Sequence, residues 1–410
     1  MTTSIETRAS WVAAFATLGV LSISYGAPLI LVVALKPIAA ELGTPRSVPA
    51  MAAALASFGT GLGGIPMGWM AERVGVRAVT AFGGVCIAAG LVVASLGGTW
   101  SLYIGFGLLL GVFGNGSLNA TLMTYVSRWF DRRRGAALAL ITSGQYIAGA
   151  LWPSLFERSV EAWGWRQTMW MFGAVTAVMI VPLALVFLRP PPAAARAGSF
   201  GAGPMPGRRV LGMHPNMALG LMTLAVFLCC VPMAQPSVHL VSFCTDAGIS
   251  ASHGAAMLSV LLGCAFVSRQ FWGWVGDRIG GLRTVFLGSA FQAVTLSLFL
   301  STQDEIGLFA VSAAFGLGFA GIVPSYVLAI REVFPASEAS WRVPVLLFGG
   351  LLGMAVGSWM GGAIYDGYGS YAPSFMAAVV FNLANLLVIG FLVARQHERP
   401  LRLVPAQVPV

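Results

Sequence analysis

The sequence predicts an all-α membrane protein: twelve transmembrane helices forming two pseudo-symmetric six-helix bundles, with the N- and C-termini cytoplasmic. Three observations predict it. Of 410 residues only 23 are Lys or Arg and 14 Asp or Glu, while 57% are hydrophobic. The 9% charged fraction compares with roughly 25% in soluble domains, which excludes a soluble enzyme, a nucleic-acid-binding module and a disordered chain. Apolar runs that meet or approach the ~20 residues needed to cross a bilayer recur twelve times. A turn signature also repeats at an offset of half the chain.

Taken in order, the first run, 11–35, exceeds a signal-peptide core and lacks a following small-x-small cleavage site, so it reads as a retained span. Runs at 48–70, 78–96, 102–126, 135–156 and 167–188 complete a first bundle, 1–188. The stretch 189–214 opens with Pro190-Pro191-Pro192 and continues in Ala, Gly and Arg, a flexible cytoplasmic linker. Runs at 216–243, 255–275, 284–300, 306–330, 343–365 and 372–394 build a second bundle, 215–396, followed by a cytoplasmic tail, 397–410.

Charge sets the orientation. With the N-terminus inside, 18 of the 23 basic residues fall in cytoplasmic segments and 4 outside, the bias expected of cytoplasmic loops. The expected location is the inner (plasma) membrane, as a multi-pass monomer in the lipid bilayer. The net charge of +9 follows from those loops and points to no nucleic acid. Cys86, Cys229, Cys230, Cys244 and Cys264 fall in or beside apolar runs without a C-x-x-C pair, so they read as small apolar fillers, with no metal site and no cofactor.

The repeat pairs Gly68-Trp69-Met70-Ala71-Glu72-Arg73-Val74-Gly75 with Gly273-Trp274-Val275-Gly276-Asp277-Arg278-Ile279-Gly280, each followed by an Arg, Arg77 and Arg283. Trp163-Gly164 and Tyr368-Gly369 share the offset. Glycine permits a tight turn, and the carboxylate can cap a helix or pair with an Arg. Glu72, Arg73, Arg77, Asp277, Arg278 and Arg283 are therefore candidate gating residues. Duplicated six-span halves suggest a transporter with its site between the halves near mid-membrane.

On these residues the whole chain resembles the major facilitator superfamily, whose Gly-x-x-x-[Asp/Glu]-Arg-x-Gly-x-Arg motif it carries with Glu72 where Asp is usual. Three further stretches resemble the bacterial monocarboxylate transporter and oxalate–formate antiporter branch: Trp129 to Ala139 with Gly144, Tyr365 to Tyr371, and Arg269 in span eight. The resemblance implies that Arg269 holds the substrate carboxylate. It also exposes departures. Ala265 stands where animal monocarboxylate transporters carry an acid, and span eleven lacks the antiporters' Lys.

Independently of that resemblance, Arg269 is the one basic residue inside a span, too deep to reach the headgroups easily. The acids all fall in loops or at span ends, so the missing anion is most simply a substrate, which guanidinium grips through two parallel hydrogen bonds. A single cation favours a single carboxylate. Candidates to complete the site are Asn115 and Asn119, four apart on one face of span four; Gln235 and His239, likewise on span seven; and Tyr25, Gln145 and Tyr326 on spans one, five and ten. His239 is also the proton-coupling candidate. Lys36 reads as a rim charge that could steer anions. The expected function is secondary active transport of a small monocarboxylate (L-lactate or pyruvate-like), coupled to a proton. The alternatives are an oxalate/formate-type organic anion exchanger or multidrug efflux.

Overall fold

The structure, a computed structural model, describes residues 6–130, 133–190 and 209–398. Most of the expected linker and all but the start of the expected tail lie outside these residues. Among the described residues, eleven helical stretches are long and apolar enough to cross a bilayer. Ten are single crossings: Arg8–Val33 (span 1), Ser47–Val74 (span 2), Val76–Ser95 (span 3), Thr99–Ser127 (span 4), Pro215–Asp246 (span 7), Ala251–Ile279 (span 8), Gly281–Ser301 (span 9), Glu305–Val333 (span 10), Trp341–Tyr368 (span 11) and Ala372–Gln396 (span 12).

The eleventh, Ala136–Phe187, has 52 residues, about 78 Å of helix against a hydrocarbon core of about 30 Å. It is two crossings, spans 5 and 6, divided at Gly164, where φ 80° and ψ 163° interrupt the helix. The outer loop expected between them is helix instead, because one glycine with positive φ reverses the chain without a loop. Twelve crossings thus stand where the twelve apolar runs predict them. An even number returns the chain to the face on which it began, the terminal face; the opposite one is the distal face.

The internal repeat is visible in the backbone. Gly75 and Gly280 both have positive φ (98° and 84°), as do Gly164 and Gly369 (80° and 68°). A third pair at the same offset, Gly43 and Gly248 (60° and 84°), was not foreseen. Two spans also change geometry at equivalent points. Span 4 runs as a π-helix over Tyr103–Asn115 before becoming α at Gly116, and span 10 breaks at 320–321. In span 10 the cause is Pro324, which has no N–H for the carbonyl four residues earlier. Pro28 likewise breaks span 1 at Tyr25, and Trp152 Nε1 donates to the carbonyl of Ser22 there at 2.9 Å.

Spans 1–6 pack chiefly on one another, as do spans 7–12. The halves meet mainly where span 2 crosses span 11 and span 5 crosses span 8. Small residues allow the close approach: Gly362 lies against Ala50, Gly61 against Phe348 and Leu351, and Gly149 against Leu262. The glycine stripe of span 11 serves a different contact. Gly353 faces the Phe227 carbonyl and Gly357 the Val231 carbonyl, so the stripe seats span 11 on span 7 within one half. Gly59 and Gly63 similarly seat span 2 on span 4.

Candidate functional site

Arg269 lies ten residues from the end of span 8 at Ile279, about 15 Å inward from the terminal face. It is half-buried and points across the interface between halves: its guanidinium sits 5.5 Å from the ring centroid of Tyr146 on span 5. Tyr146, which is 4% exposed, is also edge-on to Phe319 of span 10 at 6.3 Å. Tyr25, at the break in span 1, is half-buried near Arg269 and Tyr146, with the Asn119 side chain beside it. Asn115 is buried one turn before Asn119, where the π-helix ends, and neither Oδ1 has a hydrogen-bond partner among the described residues. Gln145 is half-buried beside Tyr146. The structure therefore sets Tyr146 against Arg269 and Tyr25 in the same neighbourhood, with Asn119 beside Tyr25 and Asn115 one turn before Asn119.

Tyr146 was missed. An aromatic in an apolar span reads as packing, and only the neighbouring span reveals that its face meets a cation. The arrangement offers a cation, a phenol and amides to a small anion, with partners drawn from both halves. Among the described residues no group of three or more His, Cys, Asp or Glu could hold a metal ion.

Three other candidates turn inward within the second half instead. Tyr326 is fully buried and donates to Asn385 Oδ1 at 2.7 Å; Asn385 Nδ2 donates in turn to Ser289 Oγ at 2.8 Å. Gln235 donates to the Gly357 carbonyl at 3.0 Å and accepts from Ser374 Oγ at 2.6 Å. These contacts tie spans 9, 10 and 12, and spans 7, 11 and 12. His239 is fully buried, donates from Nε2 to the Ser358 carbonyl at 2.8 Å and packs on Tyr371. It lies seven residues from the distal end of span 7, whereas Arg269 lies eighteen from the distal end of span 8. At 1.5 Å per residue the two are about 16 Å apart along the membrane normal.

The repeated turns lie at the terminal face. Glu72 accepts from Arg128 Nη2 at 2.8 Å, tying span 2 to span 4. Arg73 and Arg278 stack at equivalent positions over Trp69 and Trp274, at 3.7 and 3.5 Å. Arg77 Nε donates to the Leu188 carbonyl at 2.8 Å, while Asp277 and Arg283 are exposed. Arg278 and the first-half pairs make these contacts within their own half.

A second charged cluster, at the distal face, joins the halves. Lys36 Nζ pairs with Asp246 at 2.7 Å, and Arg46 grips the same carboxylate through both terminal nitrogens, Nη2 at 2.9 Å. Arg46 also lies 3.7 Å over the Tyr365 ring and donates to the Tyr371 hydroxyl at 3.3 Å. Asp366 accepts from the backbone N–H groups of Arg46 and Ser47 at 2.9 and 2.8 Å, capping span 2. Lys36 thus belongs to a latch of ion pairs that bridges the two halves at the distal face. Nearby, Arg166 donates to Glu41 at 2.8 Å and holds that carboxyl below its usual range. Sequence reasoning missed Arg46, Asp246 and Asp366 because each reads alone as a loop charge.

This architecture has known counterparts. The sequence profile described as Major Facilitator Superfamily matches residues 10–269 and 241–408. The chain is 24% identical over 353 residues to the uncharacterized MFS-type transporter YcxA of Bacillus subtilis, covering 84% of this chain and 86% of that one. It is 26% identical over 350 residues to monocarboxylate transporter 13 of Bos taurus, covering 84% and 78%. Its fold is similar to the inward-facing, unoccupied crystal structure of a bacterial homolog to the human lysosomal transporter Spinster, with TM-score 0.77 at 13% identity, covering 96% and 98%. With twelve crossings, a duplicated turn and this match along most of its length, the chain belongs to the Major Facilitator Superfamily and is a membrane transport protein, not an enzyme.

Proposed function

We propose that the protein is a secondary active carrier of a small monocarboxylate of the L-lactate or pyruvate kind, working by alternating access with the substrate carboxylate on Arg269. The terminal face, with its basic excess, is then cytoplasmic, and the carrier works as a monomer in the cell's inner (plasma) membrane. The observation that carries this reading is the setting of Arg269. It is a permanent cation well inside a span, it faces the Tyr146 ring of the other half at 5.5 Å, and Tyr25 with Asn119 beside it lies in the same neighbourhood. Similarity to monocarboxylate transporter 13 supports the substrate class. The reading assigns no proton relay to His239, whose ring lies far along the membrane normal from Arg269.

The test is a thermal-shift titration of the purified chain with L-lactate, pyruvate and oxalate, joined to uptake of labelled L-lactate and pyruvate into proteoliposomes. Bound monocarboxylate stabilises the protein by mass action. L-Lactate or pyruvate is expected to raise the unfolding temperature and to be transported; Arg269→Ala is expected to abolish both effects. Undiminished uptake by Arg269→Ala overturns the reading.

A further inference from the structure

At the distal face two cations share one carboxylate. Lys36, in the short helix Leu35–Glu41 after span 1, and Arg46, at the start of span 2, belong to the first half; Asp246, which both hold, ends span 7 in the second. The other acids there are engaged. Glu41 accepts from Arg166 and from the Trp165 indole, and Asp366 caps span 2 through the backbone N–H groups of Arg46 and Ser47. Among the described residues no carboxylate other than Asp246 forms an ion pair with Lys36 or Arg46. Their neutral partners also lie across the interface: Lys36 donates to Thr245 Oγ1 at 2.9 Å, and Arg46 meets Tyr365 and Tyr371. A cavity of about 650 Å³ opens at this place, lined among others by Lys36, Thr44, Pro45, Arg46 and Asp366.

Alternating access parts the halves at this face. Asp246 and Asp366 then leave with the second half. The first half keeps Lys36, Arg46 and the freed N–H groups at the start of span 2, like charges side by side with no acid to pair them. Asp246 already outlines the ligand they fit. Its carboxylate sits on both terminal nitrogens of Arg46, and the Lys36 ammonium meets the oxygen that Nη2 also reaches. A planar carboxylate answers that fork with two hydrogen bonds at once, which a spherical chloride ion does not. A free carboxylate in this seat also leaves Asp246 facing a like charge, so the seat fills only while the halves are apart.

We propose that Lys36 and Arg46 form a second carboxylate site at the distal mouth, which takes a small carboxylate in place of Asp246 and holds the halves apart there. The proposal rests on the alternating-access reading and on no property of Arg269. A carboxylate arriving from the distal side meets this receptor well before it reaches the depth of Arg269, and the receptor exists only when the latch is undone.

The test is thermal unfolding of the full chain in sodium L-lactate or sodium acetate, each against sodium chloride at the same concentration. All variants carry Arg269→Ala, which silences the central site. With Asp246 present, the anion's gain is offset by the pairs it breaks, and no shift is expected. Asp246→Asn keeps the shape and removes the competitor, so both carboxylates are expected to raise the unfolding temperature by several degrees through mass action. Adding Lys36→Gln is expected to remove that rise. No rise beyond that in chloride with Asp246→Asn, or an undiminished rise after Lys36→Gln, overturns the proposal. A second measurement keeps Asp246 and decides the matter if Asp246→Asn fails to fold. A Cβ on Gly362 would lie 2.9 Å from that of Ala50 across the halves. L-Lactate in place of chloride is expected to slow cross-linking of Ala50→Cys with Gly362→Cys roughly threefold, by populating the parted state; equal rates count against the proposal. Failure of Arg269 as the anchor shows as uptake by Arg269→Ala and leaves these comparisons unchanged, because every arm shares that substitution.

Discussion

Tyr326 and Arg269 show two ways in which a membrane span carries polarity. Tyr326 is satisfied inside its own half by Asn385 and Ser289. Arg269 reaches towards the other half and finds a ring. Tyr326→Phe leaves Asn385 Oδ1 buried without its donor, a loss of about 1–3 kcal/mol. The expected outcome is a lower unfolding temperature with an unchanged KM for the transported acid; a raised KM would return Tyr326 to the binding site. The contrast also marks what was legible. Arg269 stood out because a span tolerates so few charges, and helical spacing put Asn115 and Asn119 on one face. Spacing says which residues share a face but not which helix that face meets. Tyr326, Gln235 and His239 were therefore grouped with the site, although their partners on spans 11 and 12 lie more than fifty residues away in sequence.

At the scale of elements, span boundaries were easy to read and corners were not. Twenty apolar residues announce a crossing, whereas Gly164 replaces an expected ten-residue loop with a single backbone reversal. The third glycine pair, Gly43 and Gly248, lay outside the repeated motif and became visible only through its dihedrals. The four-residue spacing of Gly349, Gly353, Gly357 and Gly361 marks a close-packing face of span 11, but not the helix that face meets. Along span 11, a Cβ added to Gly357 would sit 2.2 Å from the Val231 carbonyl oxygen, whereas one added to Gly220 on span 7 meets nothing within 4 Å. Gly357→Ala is expected to destabilise by about 1–3 kcal/mol through overpacking against span 7. Gly220→Ala should be neutral or stabilising by up to about 1 kcal/mol. Thermal unfolding of the two variants side by side checks this, and equal midpoints would contradict the packing of span 11 on span 7.

For the whole molecule, the halves are joined at the distal face by Asp246 held by Lys36 and Arg46, with the span 2–span 11 contact beneath it. Ala50 and Gly362 meet there: a Cβ on Gly362 would lie 2.9 Å from that of Ala50. Ala50→Cys with Gly362→Cys is expected to cross-link under mild oxidation and to stop transport until a reductant is added; full transport by the cross-linked form would show that this contact does not open. The latch and the contact beneath it differ in one respect. The side chains of Lys36, Asp246 and Arg46 are 33%, 25% and 14% exposed, so dissolved ions reach them, whereas the small-residue contact below is uncharged. Mobile ions screen exposed pairs, with a Debye length shrinking from about 8 Å at physiological ionic strength to about 3 Å at 1 M. Higher salinity of the bathing fluid on that side is therefore expected to loosen the latch while leaving the contact beneath it intact, and the cross-linking rate followed from low to high salt checks this.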